Sequence, residues 1–247
     1  NYEPTAGQEG VLTVFAQFLA DRNPRSVMVL RGSAGTGKTT VAAAMVSALH
    51  RLGQKLTLMA PTGRAAKVFS LHSNLPAYTI HRRIYREKSY TGIGGVFNLN
   101  DNRYRRMLFV VDEASMIGNQ PTAGDITFGT ASLLDDLIQY VYSGTDCRLL
   151  LIGDNAQLPP VGETEAPALN TSVLETYGLK VWEYSLVSVL RQSQLSGILY
   201  NAIQIRALID DPILPRIRLW PFTDIVRVPG DELIESLATS YSVAGLD

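Results

Sequence analysis

The chain has 247 residues, 46% hydrophobic and 18% charged, enough to bury one substantial core and begin a second. No apolar run approaches the roughly 20 residues that cross a bilayer, and no basic-then-apolar signal peptide opens the chain, so a cytoplasmic protein with no membrane partner is expected. The net charge of -1 excludes a partner recognised by overall charge and leaves only a local basic patch; the single Cys147 excludes an internal disulfide and reads as a buried thiol, not a zinc ligand.

In chain order, Val11, Leu12, Phe15, Phe18 and Leu19 recur at helical spacing, which predicts an amphipathic helix over Glu9–Leu19. Val27–Leu30 reads as a short buried strand, and Lys38–Leu52, rich in Ala, as the helix after it. Leu56–Met59 is the next strand, followed by a helix over Gly63–Ser70. Ser89–Asn102 reads as an inserted hairpin with its turn near Asn100–Asn102. Leu108–Val111 and Arg148–Ile152 are continuous apolar strands of the kind buried on both faces of a parallel sheet. A loop over Gly118–Gly129 and a helix over Ala131–Tyr142 lie between them. After Arg191 a helical stretch, Ile198–Ile209, leads into Pro212 and Pro215, where a domain boundary is expected; strand Asp224–Val228 and helix Asp231–Tyr241 would then open a second α/β domain. Strands alternating with helices give a doubly wound α/β fold. A chain that starts at Asn1 and stops at Asp247 without a terminating pattern reads as an excised piece of a longer protein.

Gly32-Ser-Ala-Gly-Thr-Gly-Lys38-Thr39 fits the phosphate-loop pattern and sits between a strand and a helix, the context its mechanism requires. Gly32, Ala34, Gly35, Thr36, Gly37 and Thr40 would wrap ATP phosphates with backbone N–H groups, Lys38 would neutralise the β- and γ-phosphates, and the Thr39 hydroxyl would hold Mg²⁺. Asp112 and Glu113 follow a buried strand, so they should emerge beside that loop, Asp112 toward the metal and Glu113 as general base for the attacking water. Gln157, in Gly153-Asp-Asn-Ala-Gln-Leu-Pro-Pro160, is an amide able to sense a γ-phosphate; without the loop upstream, both segments would read as ordinary polar turns. Arg82, Arg83, Arg86, Lys88, Arg103, Arg105 and Arg106 face only Glu87 and Asp101, with Tyr85, Tyr90, Phe97 and Tyr104 interleaved, a composition suited to a nucleic-acid strand.

Gly32–Thr40, Ala60-Pro-Thr-Gly-Arg-Ala-Ala66, Thr79-Ile-His81, Val110-Val-Asp-Glu-Ala-Ser115, Gly153–Pro160 and Leu190-Arg-Gln192 resemble, in order and spacing, the motifs of superfamily 1 helicases, most of all the 5′→3′ RecD-like and Dda-like branch. The resemblance implies a P-loop NTPase with a RecA-like doubly wound parallel sheet over 1–81 and 107–195, a small inserted β-hairpin acting as a strand-separating pin over 82–106, and a linker with the incomplete start of a second α/β motor domain over 196–247. It further implies that Gln8 recognises adenine and that Arg191 touches the γ-phosphate. Pro61, Thr62, Gly63, Arg64, His81, Arg82, Arg103 and Tyr104 would contact DNA, although Thr62, Arg64 and His81 alone would read as surface or structural residues. The expected activity is ATP-dependent DNA unwinding with ATP and Mg²⁺, on single-stranded DNA and ss/ds junctions, with a monomer compatible. A recombination, repair or conjugation role would each fit. Because nothing after Gln192 matches the remaining family motifs, weak nucleotide binding and slow hydrolysis are expected of these 247 residues. The rival readings are a nucleotide-switched DNA-binding or regulatory module without unwinding and a P-loop ATPase with a non-nucleic-acid client; RNA in place of DNA is left open.

Overall fold

The computed structural model describes residues 4–33, 35–90, 95–120, 129–130, 132–187, 196–209 and 211–243. Thr5 starts the first helix because its hydroxyl accepts from the Gln8 N–H while Gln8 Oε1 accepts from the Thr5 N–H, a reciprocal cap. The elements then run α1 (Ala6–Ala20), β1 (Ser26–Gly32), α2 (Lys38–Arg51), β2 (Leu56–Ala60), α3 (Gly63–Ser73), β3 (Ala77–Thr79), α4 (Ile80–Ile84), β4 (Tyr85–Tyr90), β5 (Gly95–Leu99), β6 (Leu108–Val111), α5 (Leu133–Ser143), β7 (Arg148–Gly153), α6 (Thr171–Thr176) and β8 (Lys180–Leu186).

Six strands form one sheet in the order β3-β2-β6-β7-β1-β8, and every pairing in it is parallel. Alternate residues of each central strand enter opposite cores, as the two-residue period of a strand dictates. Val27, Val29, Phe109, Val111, Leu149 and Leu151 pack with Ile84, Leu137 and Tyr140 on one face. Met28, Leu30, Leu108, Val110, Leu150 and Ile152 pack with Phe15, Phe18, Met45 and Phe69 on the other. Both faces are therefore covered by helices, which is why these strands read as unbroken apolar runs. This is the RecA-like doubly wound P-loop architecture. Cys147 is buried, 1% exposed. Among the described residues no helix is long and apolar enough to cross a membrane.

Strands β4 and β5 form a separate antiparallel ribbon with Tyr85 opposite Leu99 and Arg86 opposite Asn98. Its connection falls at 91–94, outside the described residues, and not at Asn100–Asn102 as the turn signal there predicts. Asn102 is instead buried and donates its amide to the Tyr140 and Val141 carbonyls, 2.9 and 3.0 Å away, satisfying acceptors at the C-terminal end of α5.

The chain packs as two units, Asn1–Leu190 and Arg191–Asp247. The second contains α7 (Gly197–Ala207), a 3₁₀ turn at Gly230–Glu232 and α8 (Leu233–Val243). The strand expected at Asp224–Val228 is not formed. Val226 is 77% exposed, no strand pairs with it among the described residues, and the Asp224 carboxylate accepts from Ser196 Oγ and the Gly197 and Ile198 N–H groups, capping α7.

Candidate nucleotide and nucleic-acid site

Because all six strands run the same way, their C-terminal ends form one edge, where open α/β sheets bind ligands. Along it lie, in spatial order, Ile80–His81 after β3, Pro61–Arg64 after β2, Asp112–Glu113 after β6, Asp154–Gln157 after β7 and the phosphate loop after β1. The β2 and β1 loops are three strand positions apart, ~14 Å at the usual strand spacing.

The phosphate loop is shaped by its glycines. Gly35 (φ 80°) and Gly37 (φ 82°) adopt left-handed backbone. A Cβ on Gly32 would lie 2.7 Å from Thr36 Oγ1, whose hydroxyl donates to the Ser33 carbonyl at 2.8 Å. Gly37 precedes α2 without a side-chain cap, so no side chain covers the first N–H groups of that helix. Lys38 Nζ donates to the Gly32 and Ser33 carbonyls at 2.6 and 3.0 Å, folded over the loop. Thr39 Oγ1 lies 3.4 Å from Asp112 Oδ2, while Thr40 is exposed. Ala34 lies outside the described residues.

Asp112 is 6% exposed, and burial pushes its carboxyl up to about 6, aided by the Glu113 charge and opposed by the Glu113 N–H, Lys38 and Thr39. Glu113 takes a left-handed φ of 55°, which turns the chain at once into the 3₁₀ segment Ala114–Met116. Fully buried Ser115 donates its hydroxyl to Gln157 Oε1 at 2.5 Å, tying the acidic turn to the loop after β7. Gly153 permits this approach: a Cβ there would lie 2.7 Å from Leu169 Cδ1 and 3.0 Å from the Ser115 nitrogen. Buried Asp154 accepts from the Ala156 N–H at 3.0 Å and shapes the same turn. Neither Ser115 nor Asp154 was singled out by sequence reasoning, although both lie inside motifs it quoted. Gln8, whose carbonyl oxygen caps α1, is brought near the loop through Leu186: Cβ atoms on Gly7 and Gly32 would lie 3.5 and 3.0 Å from that one side chain. Arg191, with Leu190 and Gln192, lies outside the described residues.

On the other half of the edge, Thr62 caps α3 by accepting from the Ala65 N–H at 3.2 Å, with Pro61 half-buried and Gly63 and Arg64 exposed. His81 is half-buried, its ring centroid 5.6 Å from that of Tyr85, and burial holds its imidazole below the usual range. The Arg82 guanidinium lies 5.8 Å from the Tyr78 ring centroid. Tyr104 is not an open stacking surface: its hydroxyl accepts from Arg83 Nη2 at 2.7 Å and its ring meets Phe109 edge-on. Arg103 is 88% exposed and shares Asp101 with Arg86, at 3.8 and 4.0 Å. Nor is the basic segment one continuous patch, because Arg105 and Arg106 sit at the opposite edge of the sheet, beside the start of β6.

A family model described as an AAA domain, AAA_30, matches residues 7–207. The chain belongs to the AAA_30 family. This AAA_30 chain is 33% identical over 159 residues to the ATP-dependent RecD2 DNA helicase of Deinococcus radiodurans, covering 64% of the chain and 19% of that protein. It is 29% identical over 220 residues to the RecBCD enzyme subunit RecD of Mycobacterium tuberculosis, covering 78% and 34%. The chain therefore spans between about an eighth and a third of the curated relatives it matches. Among solved structures, two coordinating Pif1 helicases at forked double-stranded DNA give a TM-score of 0.52 at 17% identity, covering 83% of this chain and 48% of that one. A Bacteroides Pif1 helicase in complex with ADP-AlF3 and single-stranded DNA gives 0.51 at 14%, covering 98% and 58%. At those identities the likeness establishes the fold. The AAA_30 chain is thus a helicase-like P-loop domain related to the RecD proteins it matches.

Proposed function

We propose that this chain is the ATP-hydrolysing part of a cytoplasmic RecD-like DNA helicase that translocates 5′→3′ on one strand and opens ss/ds junctions. The observation that carries the reading is the common edge. The phosphate loop, Asp112, Glu113 and Gln157 lie on neighbouring strand ends, and the Thr62 and His81 loops continue the same row. Nucleotide state and strand contact thereby share one rigid sheet. The names of the relatives, an ATP-dependent DNA helicase among them, support the same reading.

The donor set fits Mg²⁺-nucleotide. Thr39 Oγ1 and Asp112 Oδ2 are adjacent hard oxygens, suited to magnesium, and the uncapped start of α2 with Lys38 suits phosphate. When bound, the ion neutralises charge on the β- and γ-phosphate oxygens. Lys38 exchanges its carbonyl partners for phosphate oxygens, and Glu113 accepts a proton from the attacking water. Gln157, held through Ser115, registers the γ-phosphate, Gln8 reads the adenine and Arg191 approaches the γ-phosphate as an arginine finger. Thr62, Arg64 and His81, with Arg82 and Arg103 at the hairpin, hold the strand. In the natural protein carrying this chain, ATP should drive displacement from forks with a 5′ single-stranded tail and not from those with a 3′ tail alone. Equal displacement from both, or from neither, would reject the translocation part of the reading.

A further inference from the structure

The sheet edge opposite the nucleotide loops carries two adjoining cavities of about 390 and 530 Å³ that share Gln54, Arg106 and Asp146. Arg22, Lys55, Arg105 and Arg106 line them, all exposed and none in an ion pair among the described residues. Two acids line the same space. Asp146 is exposed, and Asp21 already accepts from Ser26, Trp182 and Lys180, which leaves the rim net positive.

The backbone segments that carry Lys55, Arg105 and Arg106 are tied together. Gln54 Nε2 donates to the Arg106 and Lys55 carbonyls at 2.6 and 3.0 Å, clamping their two segments together. The Arg106 N–H donates to the Thr145 carbonyl at 2.8 Å, and the Thr145 N–H to that of Tyr104 at 3.1 Å. A rim assembled before any ligand arrives loses less freedom on binding.

We infer that this cleft binds the phosphate backbone of the duplex arm ahead of the hairpin, an inference that rests on the helicase reading above. Two observations select a duplex. No lining residue is aromatic, so the cleft offers charge without the stacking surfaces that single strands use; a duplex hides its bases and presents phosphates. The segment Arg103–Arg106 also joins the foot of the hairpin, where Arg103 and Arg86 share Asp101, to the cleft. A duplex arm extending from a junction at the hairpin would therefore meet Arg105, Arg106 and Lys55.

The test uses the natural protein carrying this chain, with Lys55→Glu/Arg105→Glu/Arg106→Glu made together and the unfolding temperature confirming an intact fold. Fluorescence anisotropy across a salt series would compare single-stranded DNA with a fork carrying a duplex arm of about two helical turns. For the long-armed fork, affinity should fall about 10-fold or more, and the slope of log affinity against log salt should shrink by about 2 to 3. Single-strand affinity and single-strand-stimulated hydrolysis should stay unchanged. Lys55→Glu alone should lower the slope by about 1. Long-fork affinity and slope unchanged beside intact single-strand stimulation would overturn the cleft while leaving the helicase reading in place. The same would follow if the reversals abolished binding of a polyglutamate probe without touching the fork, since the cleft would then belong to an acidic protein segment. Absence of single-strand stimulation in the unaltered protein would instead fail the helicase reading and the cleft with it.

Discussion

At the scale of single residues, two contacts make the strongest claims. Asp112 keeps a charge-bearing group 6% exposed, an arrangement unfavourable for stability and useful for holding a cation. Asp112→Asn keeps the shape and the acceptor for the Glu113 N–H but removes the buried charge. Without nucleotide, the variant should unfold at a higher denaturant concentration, by about 1 kcal/mol or more, while Mg²⁺-dependent hydrolysis falls at least about 100-fold. A variant both less stable and equally active would remove Asp112 from the site. Ser115 acts through Gln157, so Ser115→Ala should lower kcat about 10-fold with KM for ATP little changed, because a misplaced amide alters the chemical step more than binding. Steady-state kinetics separates the two, and a rise in KM alone would reassign Ser115 to the fold. The phosphate loop and the Asp112–Glu113 pair were legible in the sequence because each is a contiguous run. The Ser115–Gln157 bond was not, since its partners stand 42 residues apart and only the pairing of β6 with β7 unites them.

At the scale of elements, legibility followed burial. The central strands announced themselves as apolar runs. β8 and β3, the sheet's two edges, did not: β8 alternates exposed Lys180, Glu183 and Ser185 with half-buried neighbours, and β3 has three half-buried residues. The apparent strand at Asp224–Val228 is rich in β-branched residues but has nothing to pair with among the described residues, and a strand is stable only in a sheet. The hairpin is mounted on the six-stranded domain through fully buried Asp136, which accepts from the Tyr85 hydroxyl at 2.7 Å and from Thr130, while the Gly129 N–H donates to the Phe97 carbonyl at 3.0 Å. Asp136→Ala leaves the buried Tyr85 hydroxyl without its acceptor, while Thr130 is exposed and can turn to water, and should cost about 1 to 3 kcal/mol in urea unfolding. Loss of less than about 0.5 kcal/mol would show that the hairpin is anchored elsewhere. Gly129→Ala should also destabilise, because its backbone is left-handed and a Cβ would collide with the Asp136 carboxylate.

At the scale of the whole molecule, the first unit is closed at the end opposite the nucleotide by Asp21. This residue ends α1, and its carboxylate accepts from Ser26, Asn23, Trp182 and Lys180 while its carbonyl accepts from Arg148, so that α1, β1, β7 and β8 meet there. Those bonds, the Ser26 hydroxyl foremost, hold its carboxyl well below the usual carboxylate range. A depressed pKa in the folded state supplies stability that is present above the unfolded value near 4 and lost as pH falls below it. Thermal unfolding should therefore show an acid-side loss below about pH 4 that Asp21→Asn flattens; identical pH profiles for the two proteins would deny Asp21 that role. The central claim is that hydrolysis at the β1 loop is coupled to a DNA strand on the β2 and β3 loops through one sheet edge. Its most direct test is ATP hydrolysis by the natural protein carrying this chain, with and without single-stranded DNA, using Lys38→Ala as the blank. Strong stimulation by DNA, lost in Lys38→Ala, is the predicted result; hydrolysis indifferent to DNA, or undiminished in the variant, would contradict it.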